Sequence, residues 1–237
     1  MSSQSGAGEN RTRSRARWEE GDIPATGIWL VRRRLAEAMR RVIERLTTSD
    51  APENELEAAA RRLEDYAEHL SRHRRRSRYE GSAEAVLAGA GEDPGGGGHF
   101  DYSPHIGRSN PLAPPIFLRS HEGRVIAEVT YGSAYEGAPG CVHGGCVAAA
   151  FDEVLGYAET FTDAPGMTGT LTVVYRSPTP LHTPLRFDAW IERVEGRKIF
   201  CKSTLHAGER LCAEAEAIFV SLNPGFYDRL MRERNAS

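Results

Sequence analysis

The sequence predicts an α+β fold in which an antiparallel sheet wraps around a long central helix, with a helical hairpin preceding it. Apolar residues recur at helical spacing in the first third of the chain and alternate with polar residues from about residue 115. One strongly apolar helical run interrupts the alternating segments, two of which precede it and four of which follow it. Short turn signals separate most neighbouring strand segments, and such turns join antiparallel strands.

The composition is that of an ordinary globular protein. Of the 237 residues, 40% are hydrophobic and 27% are charged, which allows one core of about 120 to 200 residues plus an appendage. No segment approaches the roughly 18 apolar residues of a membrane span, and the N-terminus lacks the apolar stretch of a secretory signal. The four cysteines form no C-x-x-C pair, so we expect free thiols, a cytoplasmic location and no membrane partner.

Charge is distributed unevenly along the chain. Residues 1–80 contain 17 Arg and 14 acidic residues, a net charge of +3, whereas residues 81–237 contain 13 basic and 19 acidic residues, a net charge of −6. The acidic main body argues against nucleic acid as a partner. The Arg-rich first part is interpreted either as a solvated helical face or as a surface for a regulatory partner.

The first 99 residues divide into three segments by composition. Residues 1–22 are polar and charged, and we predict a disordered tail. Residues 23–80 show two helical patterns, with Pro52 suited to the first turn of the second helix, and are interpreted as a helical hairpin extension. Residues 81–99 contain four consecutive glycines, whose backbone entropy opposes both helix and strand, and form a Gly-rich linker.

The main domain is predicted to occupy residues 100–225, followed by a C-terminal tail at 226–237. It begins with a hairpin whose turn lies at His121–Gly123, and the apolar helix runs from Gly145 to about Phe161. The six predicted strands cover residues 115–120, 124–131, 168–176, 185–194, 197–206 and 210–220, and the last three are joined by tight turns at Glu195–Gly196 and Ala207–Gly208.

The start of the apolar helix, "CVHGGCVAAAFDEV" at residues 141–154, contains the residues that suggest chemistry. Its first two turns are apolar nearly all round, as in a fully buried helix, and Asp152 is the first charge within it. A carboxylate there is costly unless it is paired, exposed to a cleft or used, although it equally fits the point where the helix reaches water. Gly144 and Gly145 expose their amides as an oxyanion hole, or simply form a glycine turn. Gly144 and Asp152 lie about 12 Å apart along one helix, too far for one reacting atom.

Four motifs occur together and in order: "GCVHGGCVAAAFDEVLGYA", "TGTLTVVYRSPTPL", "VEGRKIF" and "AEAEAIFVSLNP". Over about residues 100–224, this combination resembles the hotdog-fold acyl-CoA thioesterases of the PaaI-like group and, within it, the thioesterase superfamily member 4 branch. The resemblance implies a hotdog fold and hydrolysis of an acyl-CoA thioester to the free acid and CoA, with no cofactor and no metal. It also implies a homodimer or a dimer of dimers, in which antiparallel helices bring the glycine end of one subunit to the acid of the other.

The same resemblance implies roles for individual residues. Asp152 matches the catalytic acid, either general base or nucleophile, with Glu153 as the alternative acid. Gly144 matches the amide that polarises the thioester carbonyl, and His143 matches the residue that orients the loop and the thioester. Thr168 matches the threonine that helps to hold the attacking water. Binding of the substrate and its coenzyme A part is expected at Gly145, Arg176, Arg197 and Lys198.

Other functions remain open from the sequence. The main alternative is a non-catalytic acyl-CoA-binding regulator of hotdog fold that acts through the Arg-rich extension, and a hydratase of enoyl thioesters is another. The presence of Asp152 favours an enzyme over the regulator. Cys141 and Cys146 flank His143, which permits a Cys-His nucleophile or a zinc site, but a buried helical thiol is usually a plain hydrophobe and a fourth metal ligand is missing. The absence of G-x-S-x-G disfavours an α/β-type serine hydrolase.

Overall fold

The computed structural model describes residues 27–73, 99–114, 116–162 and 166–222, together with residues 226, 229, 232 and 233. The order of two helices, two strands, one helix and four strands confirms the predicted fold class. The predicted tail at 1–22 and almost all of the predicted linker lie outside the described residues. The helices with defined bounds are α1 (Gly27–Thr48), α2 (Glu53–Ser71) and α3 (Gly144–Glu159), and the strands are β1 (Phe117–His121), β2 (Arg124–Val129), β3 (Gly166–Tyr175), β4 (Leu185–Glu195), β5 (Lys198–Ala207) and β6 (Arg210–Ser221).

The six strands form one antiparallel sheet in the order β1-β2-β4-β5-β6-β3. The strand that follows the central helix, β3, therefore lies at an edge of the sheet and pairs with the last strand, β6. Its sequence, GMTGTLTVVY, contains no charged residue and no proline. Because edge strands of soluble proteins are normally protected by charge, proline or a covering element, this long neutral edge is suited to pairing with another strand.

The two last hairpins turn at glycines in the left-handed region. Gly196 has φ of 57° and is the first residue of a two-residue loop that ends at the pair Glu195 and Lys198. Gly208, with φ of 59°, has the same position in the next hairpin. A positive φ at the first loop residue suits a type II′ turn, where glycine is preferred. The turns predicted at Glu195–Gly196 and Ala207–Gly208 are therefore each placed one residue too early.

Helix α3 packs across one face of the sheet and forms the centre of the core. The ring of Phe151 meets that of Phe187 on β4 edge to face, with 5.0 Å between centroids, and Val154 and Leu155 are fully buried. The prediction that the first two turns are buried all round is only partly right. The side that faces away from the sheet consists of small residues that the single chain leaves half-buried, among them Ala149.

Helix α1 binds the main domain through three side chains on one helical face. Successive members of this set are seven and four residues apart, a spacing that places them on the same side of the helix. Two arginines and one glutamate of α1 bind the segment before β1 and the short 3-10 turn at Ser133–Tyr135. Part of the Arg-rich region therefore has a structural role. The contacts join Arg33 to the Asp101 carboxylate at 2.9 Å, Arg40 to the Asn110 carbonyl at 3.0 Å, and the Glu44 carboxylate to the amides of Ser133 and Ala134 at 2.9 and 3.1 Å.

Helix α2 contributes no buried side chain to the domain. Its apolar residues recur along one face but are exposed, as Leu63 and Tyr66 illustrate. Within the described part of the chain, no helix has both the length and the apolar content needed to cross a membrane.

Candidate active site

The loop before α3 shapes the N-terminus of that helix. His143 is the N-cap residue, and its Nδ1 accepts a hydrogen bond from the Gly145 amide at 3.0 Å. The amide of His143 donates to the Tyr135 carbonyl at 2.8 Å, which ties the loop to the 3-10 turn that Glu44 holds. A ring nitrogen that accepts carries no proton, so the neutral imidazole has its proton on Nε2. His143 is therefore a cap whose Nε2 remains a donor.

Of the two glycines that begin α3, Gly144 is the one whose backbone amide is available to a ligand. The Gly145 amide is occupied by His143, whereas the Gly144 amide has no acceptor among the described residues. The carbonyl of Gly144 accepts a hydrogen bond from the Tyr175 hydroxyl at 2.7 Å. A Cβ at position 144 would lie only 3.3 Å from that hydroxyl, so a side chain there would press on Tyr175. An unpaired amide at a helix N-terminus is suited to a developing oxyanion.

The two neighbouring acids of α3 have different partners. The carboxylate of Asp152 accepts a hydrogen bond from the Thr168 hydroxyl of β3 at 2.9 Å. The carboxylate of Glu153 accepts one from the Ser103 hydroxyl at 3.0 Å, in the segment that precedes β1. Ser103 also accepts from the amide of His105, so Glu153 takes part in shaping a turn. Both acids are half-buried, but Asp152 is held by a strand and Glu153 by a loop.

Within one chain, the acid and the open amide lie apart. Gly144 and Asp152 are separated by two helical turns, about 12 Å along the axis. Strand β3 runs antiparallel to α3, so Thr168 near its start binds Asp152 while Tyr175 at its end binds Gly144. The two groups are thus anchored at opposite ends of the edge strand.

The three cations expected to bind coenzyme A differ in their surroundings. Arg176 forms an ion pair with Glu214, and Arg197 donates to the Ser221 carbonyl at 2.8 and 3.0 Å. Lys198 is exposed, and its side chain has no hydrogen bond or ion pair among the described residues. These contacts leave Lys198 as the cation most available for a phosphate.

The thiols beside His143 do not form a nucleophilic pair with it. Burial raises the pKa of the Cys146 thiol, which disfavours the reactive thiolate. The Nδ1 of His143 is already used in capping Gly145. Cys141 directs its thiol to the Pro139 carbonyl at 3.5 Å. Among the described residues, no group of three or more His, Cys, Asp or Glu side chains is placed to hold a metal ion.

A cavity of about 320 Å³ lies beside the glycine end of α3. Its walls come from the segment before β1, from the region after β2 and from the first two turns of α3, and both His143 and Gly145 line it. Asp152 does not line it. The other walls are mainly apolar and include Leu112, Ile116, Tyr131, Tyr135 and Ala149.

Several polar residues near the site were missed by sequence reasoning. Tyr175 ends the strand pattern that contains Leu171 and Val173, so alternation along β3 would have placed it on the side facing α3. Ser103 lies 50 residues before Glu153, and no local pattern indicates their contact.

The chain is similar to known proteins over the segment that carries this site. Residues 139–218 match the family described as the Thioesterase superfamily. Acyl-coenzyme A thioesterase THEM4 from Xenopus laevis is 36% identical over 111 residues, which cover 46% of this chain and 50% of that protein. The protein of the same name from Mus musculus is 31% identical, covering 46% and 48%.

A crystal structure of a thioesterase superfamily protein is 32% identical, with a TM-score of 0.71, and covers 84% of this chain and 97% of that one. The chain spans about half the length of the curated relatives it matches, whereas it accounts for nearly all of this solved structure. All the site residues expected from the sequence lie within the segment that matches the family.

Proposed function

Because this chain belongs to the thioesterase superfamily, we propose that it is an acyl-CoA thioesterase, which hydrolyses an acyl-CoA thioester to the free acid and CoA. The observation that carries this proposal is the combination, on one helix, of an acid bound by a strand hydroxyl and an amide with no acceptor among the described residues. The names of the relatives from Xenopus laevis and Mus musculus support the substrate class.

We further propose that the site is completed by a second copy of the chain. The uncharged edge of β3 offers a strand for pairing, and the small residues on the uncovered side of α3 allow two helices to approach closely. In a two-fold dimer the same surface is used by both copies, so paired β3 strands run antiparallel. The result is one continuous sheet with two equivalent sites.

The position of the proposed two-fold axis follows from the contacts of β3. An axis near the middle of the strand, at Thr172, would place the irregular stretch from Thr168 to Thr170 opposite the partner's Tyr175. Because Thr168 holds Asp152 and Tyr175 holds Gly144, this arrangement brings the acid of one chain towards the open amide of the other. The acid and the amide of one site then come from different chains, so the separation of about 12 Å along one helix no longer keeps them apart.

In the proposed reaction, Asp152 acts as a general base. The Thr168 hydroxyl donates its one proton to Asp152 and retains lone pairs that can accept from a water molecule. As the water oxygen bonds to the thioester carbon, Asp152 takes its proton, and the Gly144 amide from the other subunit stabilises the charge on the carbonyl oxygen. Collapse breaks the carbon–sulfur bond, and Asp152 returns the proton to the leaving thiolate. Nucleophilic attack by Asp152 is the alternative route.

The remaining predicted residues have supporting roles in this proposal. His143 holds the amide of Gly145 and so shapes the loop that presents Gly144. Lys198 pairs with Val220 of β6, which in turn pairs with Met167 of β3. Two strand spacings, about 10 Å, therefore separate Lys198 from the start of β3, a distance that the CoA chain between its thioester and its phosphates can span.

The test is a hydrolysis screen of the purified full chain with acetyl-, octanoyl-, palmitoyl- and phenylacetyl-CoA, with thiol release as the readout. Turnover of at least one thioester that is lost in Asp152→Ala is the expected result. Binding of acyl-CoA without thiol release from any of them would overturn the enzymatic proposal. In single-turnover hydrolysis in H₂¹⁸O, ¹⁸O in the Asp152 carboxylate would establish nucleophilic attack, because a general base forms no bond to the water oxygen.

A further inference from the structure

Helix α1 exposes a row of apolar side chains on the side turned away from the main domain. The residues that bind the domain, Arg33, Arg40 and Glu44, lie about 160° around the helix from this row. Large apolar side chains grouped in the open are typical of an interaction surface. The row, called the α1 stripe, repeats every three or four residues, and its members are 37% to 60% exposed: Ile28, Val31, Leu35, Met39, Val42 and Leu46.

Helix α2 exposes a second apolar row with a stricter repeat. Leu56, Leu63 and Leu70 recur every seven residues and are 40% to 50% exposed, and the exposed Ala60 and Ala67 lie between them. This row, called the α2 stripe, alternates steps of four and three residues, a spacing that favours packing along another helix. Helices α1 and α2 of one chain do not pack along each other. Neither stripe is therefore covered within the described part of the chain.

The two helices carry opposite net charges. Helix α1 contains six arginines and two glutamates, a net charge of +4, whereas α2 contains two arginines and six acidic residues, a net charge of −4. Two α1 helices placed side by side would repel each other, and so would two α2 helices, whereas α1 and α2 attract each other. The best partner for either stripe is therefore the other helix.

The charges beside the two stripes also have matching positions. Three exposed arginines lie along one flank of the α1 stripe, seven and four residues apart, and have no ion pair among the described residues: Arg34, Arg41 and Arg45. Three exposed glutamates lie along one flank of the α2 stripe with the same spacing: Glu57, Glu64 and Glu68. The only ion pair of this set among the described residues joins Glu57 to Arg61 of the same helix. One register of the two helices therefore places all three arginines beside the three glutamates.

The handedness of the α-helix determines the direction of this pairing. In the direction in which the helices wind, the arginine flank lies about 100° before the α1 stripe, and the glutamate flank lies about 100° after the α2 stripe. Parallel helices that face each other bring such opposite flanks together, as in parallel coiled coils. An antiparallel pair would instead place the arginines beside Glu55, Arg62 and His69, which form no acidic row.

The connection between α1 and α2 is too short for a parallel pair within one chain. Residues 49–52 link Thr48 to Glu53 and reach at most about 18 Å when fully extended. In the matching register the chain would have to return about 20 Å or more along the helix axes, and also cross from one helix to the other. A loop of this length joins antiparallel helices. The partner of each stripe therefore belongs to another chain.

We propose that α1 of one chain pairs in parallel with α2 of a second copy of the chain. Each copy offers one stripe of each kind, so a two-fold related pair of copies forms two equivalent contacts. The apolar stripes supply the buried surface, and the charged flanks select the partner helix and its direction. This surface is separate from the edge of β3, and the inference does not depend on the proposed reaction.

The experiment reverses each charged flank in the full chain. The acidic variant carries Arg34→Glu, Arg41→Glu and Arg45→Glu, and the basic variant carries Glu57→Arg, Glu64→Arg and Glu68→Arg. Either variant alone places like charges on both flanks of the contact. Sedimentation velocity over a range of concentrations at low salt should therefore give a dissociation constant at least about tenfold above the wild-type value.

Coexpression of the two variants, each with its own affinity tag, should restore association. The acidic α1 of one chain then meets the basic α2 of the other, and the second contact pairs the unaltered flanks. We expect a dissociation constant near that of the wild type, and mixed assemblies in excess of the half, roughly, that random pairing of two chains gives. A hairpin closed within each chain could not produce this recovery.

A matched pair of lysine substitutions tests the apolar part of the contact. Leu63→Lys places a charge in the α2 stripe and should raise the dissociation constant at least about tenfold, because the charge would be buried between the helices. Asp65→Lys places the same side chain on the opposite side of α2 and should leave association unchanged. Both positions are exposed in the single chain, so the Tm of the dissociated chain should stay the same in both variants.

Three results would overturn the inference. The first is a wild-type chain whose association does not change with concentration and is not weakened by Leu63→Lys, which would assign the stripes to a different partner or to open surface. The second is a coexpressed pair that shows neither recovery nor an excess of mixed assemblies. The third is an equal effect of Leu63→Lys and Asp65→Lys, which would mean that the α2 stripe is not the contact.

Discussion

The hydroxyl of Thr168 donates a 2.9 Å hydrogen bond to the carboxylate of Asp152, and this contact joins the edge strand to the central helix. The adjacent acid, Glu153, is bound instead by Ser103 from the loop before β1. Two acids that are neighbours in sequence therefore bind different parts of the domain. Asp152 is placed on the side of the helix that a second copy would cover, which is the basis of the predictions on catalysis.

The first prediction is that Asp152→Ala lowers kcat by about 10² to 10⁴, because a general base is lost. Glu153→Ala should have a much smaller effect on kcat and should instead lower the Tm through loss of the Ser103 contact. Steady-state thiol release and thermal unfolding of both variants provide the measurements. The opposite order of kcat values would show that Glu153 is the working acid.

The second prediction concerns the hydroxyl of Thr168. In Thr168→Val, the carboxylate of Asp152 loses its donor and the water loses one acceptor, so we expect kcat to fall about 10- to 100-fold, the range for a hydrogen bond to a charged group. Thr170→Val, which changes an exposed threonine on the same strand, is the control. Equal kcat values for the two variants would remove Thr168 from the mechanism.

Much of the fold follows from local patterns. The apolar run of α3 and the period of two in the strands locate the elements because both patterns are set by burial against one core. The last two hairpin turns lie one residue later than predicted, because the backbone conformations of Gly196 and Gly208, and not the hydrophobic pattern, fix those loops. The spacing of His143, Gly144 and Asp152 identified a candidate site, but it could not reveal the Tyr175 contact that anchors the glycine end.

Contacts between distant segments could not be predicted from local patterns. Arg33 and Asp101 are 68 residues apart, and any of the 17 arginines in the first 80 residues was an equal candidate for that contact. Such contacts are properties of the packed domain and leave no periodic signal in the sequence.

The third prediction distinguishes Arg197, in the turn before β5, from Lys198, the first residue of β5. Lys198→Ala should raise KM for acyl-CoA with little change in kcat, because an exposed ammonium is free to bind a phosphate of CoA. Arg197→Ala should mainly lower the Tm, since that side chain donates to the Ser221 carbonyl. The wild-type KM should also rise with salt, and this salt effect should be weaker in Lys198→Ala. An unchanged KM in Lys198→Ala would exclude it from CoA binding.

The fourth prediction concerns Glu159, a buried acid at the end of α3. Burial raises its pKa to about 7 from a usual 4.5, against the opposing effect of the hydrogen bond from the Gly166 amide. The folded state therefore binds more protons than the unfolded state between about pH 4.5 and pH 7, and the free energy of unfolding falls as pH rises through that window. Above about pH 7, where Glu159 is ionised in the folded state too, the free energy of unfolding is lower by on the order of 3 kcal/mol than at low pH.

Glu159→Gln removes this titration while its side-chain carbonyl can still accept from Gly166. Denaturant unfolding at pH 5 and pH 8 should show the variant gaining stability relative to the wild type between the two pH values, by up to about 3 kcal/mol. A difference that stays constant with pH would mean that Glu159 does not titrate in this range.

The last prediction is that each active site is shared between two chains. Asp152→Ala removes the acid, and Gly144→Val places a side chain against Tyr175 and shields the open amide, since even a Cβ would lie 3.3 Å from that hydroxyl. Each homodimer should be inactive. The two variants, carrying different affinity tags, are coexpressed, and the mixed dimer is purified through both tags.

In the mixed dimer, one site combines the two altered residues and the other combines the two intact ones, because each site takes its amide from one chain and its acid from the other. We therefore expect about half of the wild-type kcat per dimer, as two-fold symmetry requires. If the acid and the amide of one site came from the same chain, both sites would carry one altered residue and no activity would return. A folded mixed dimer without activity would thus refute the shared site, and Gly144 and Asp152 of one chain would then have to act together across the 12 Å of helix that separates them.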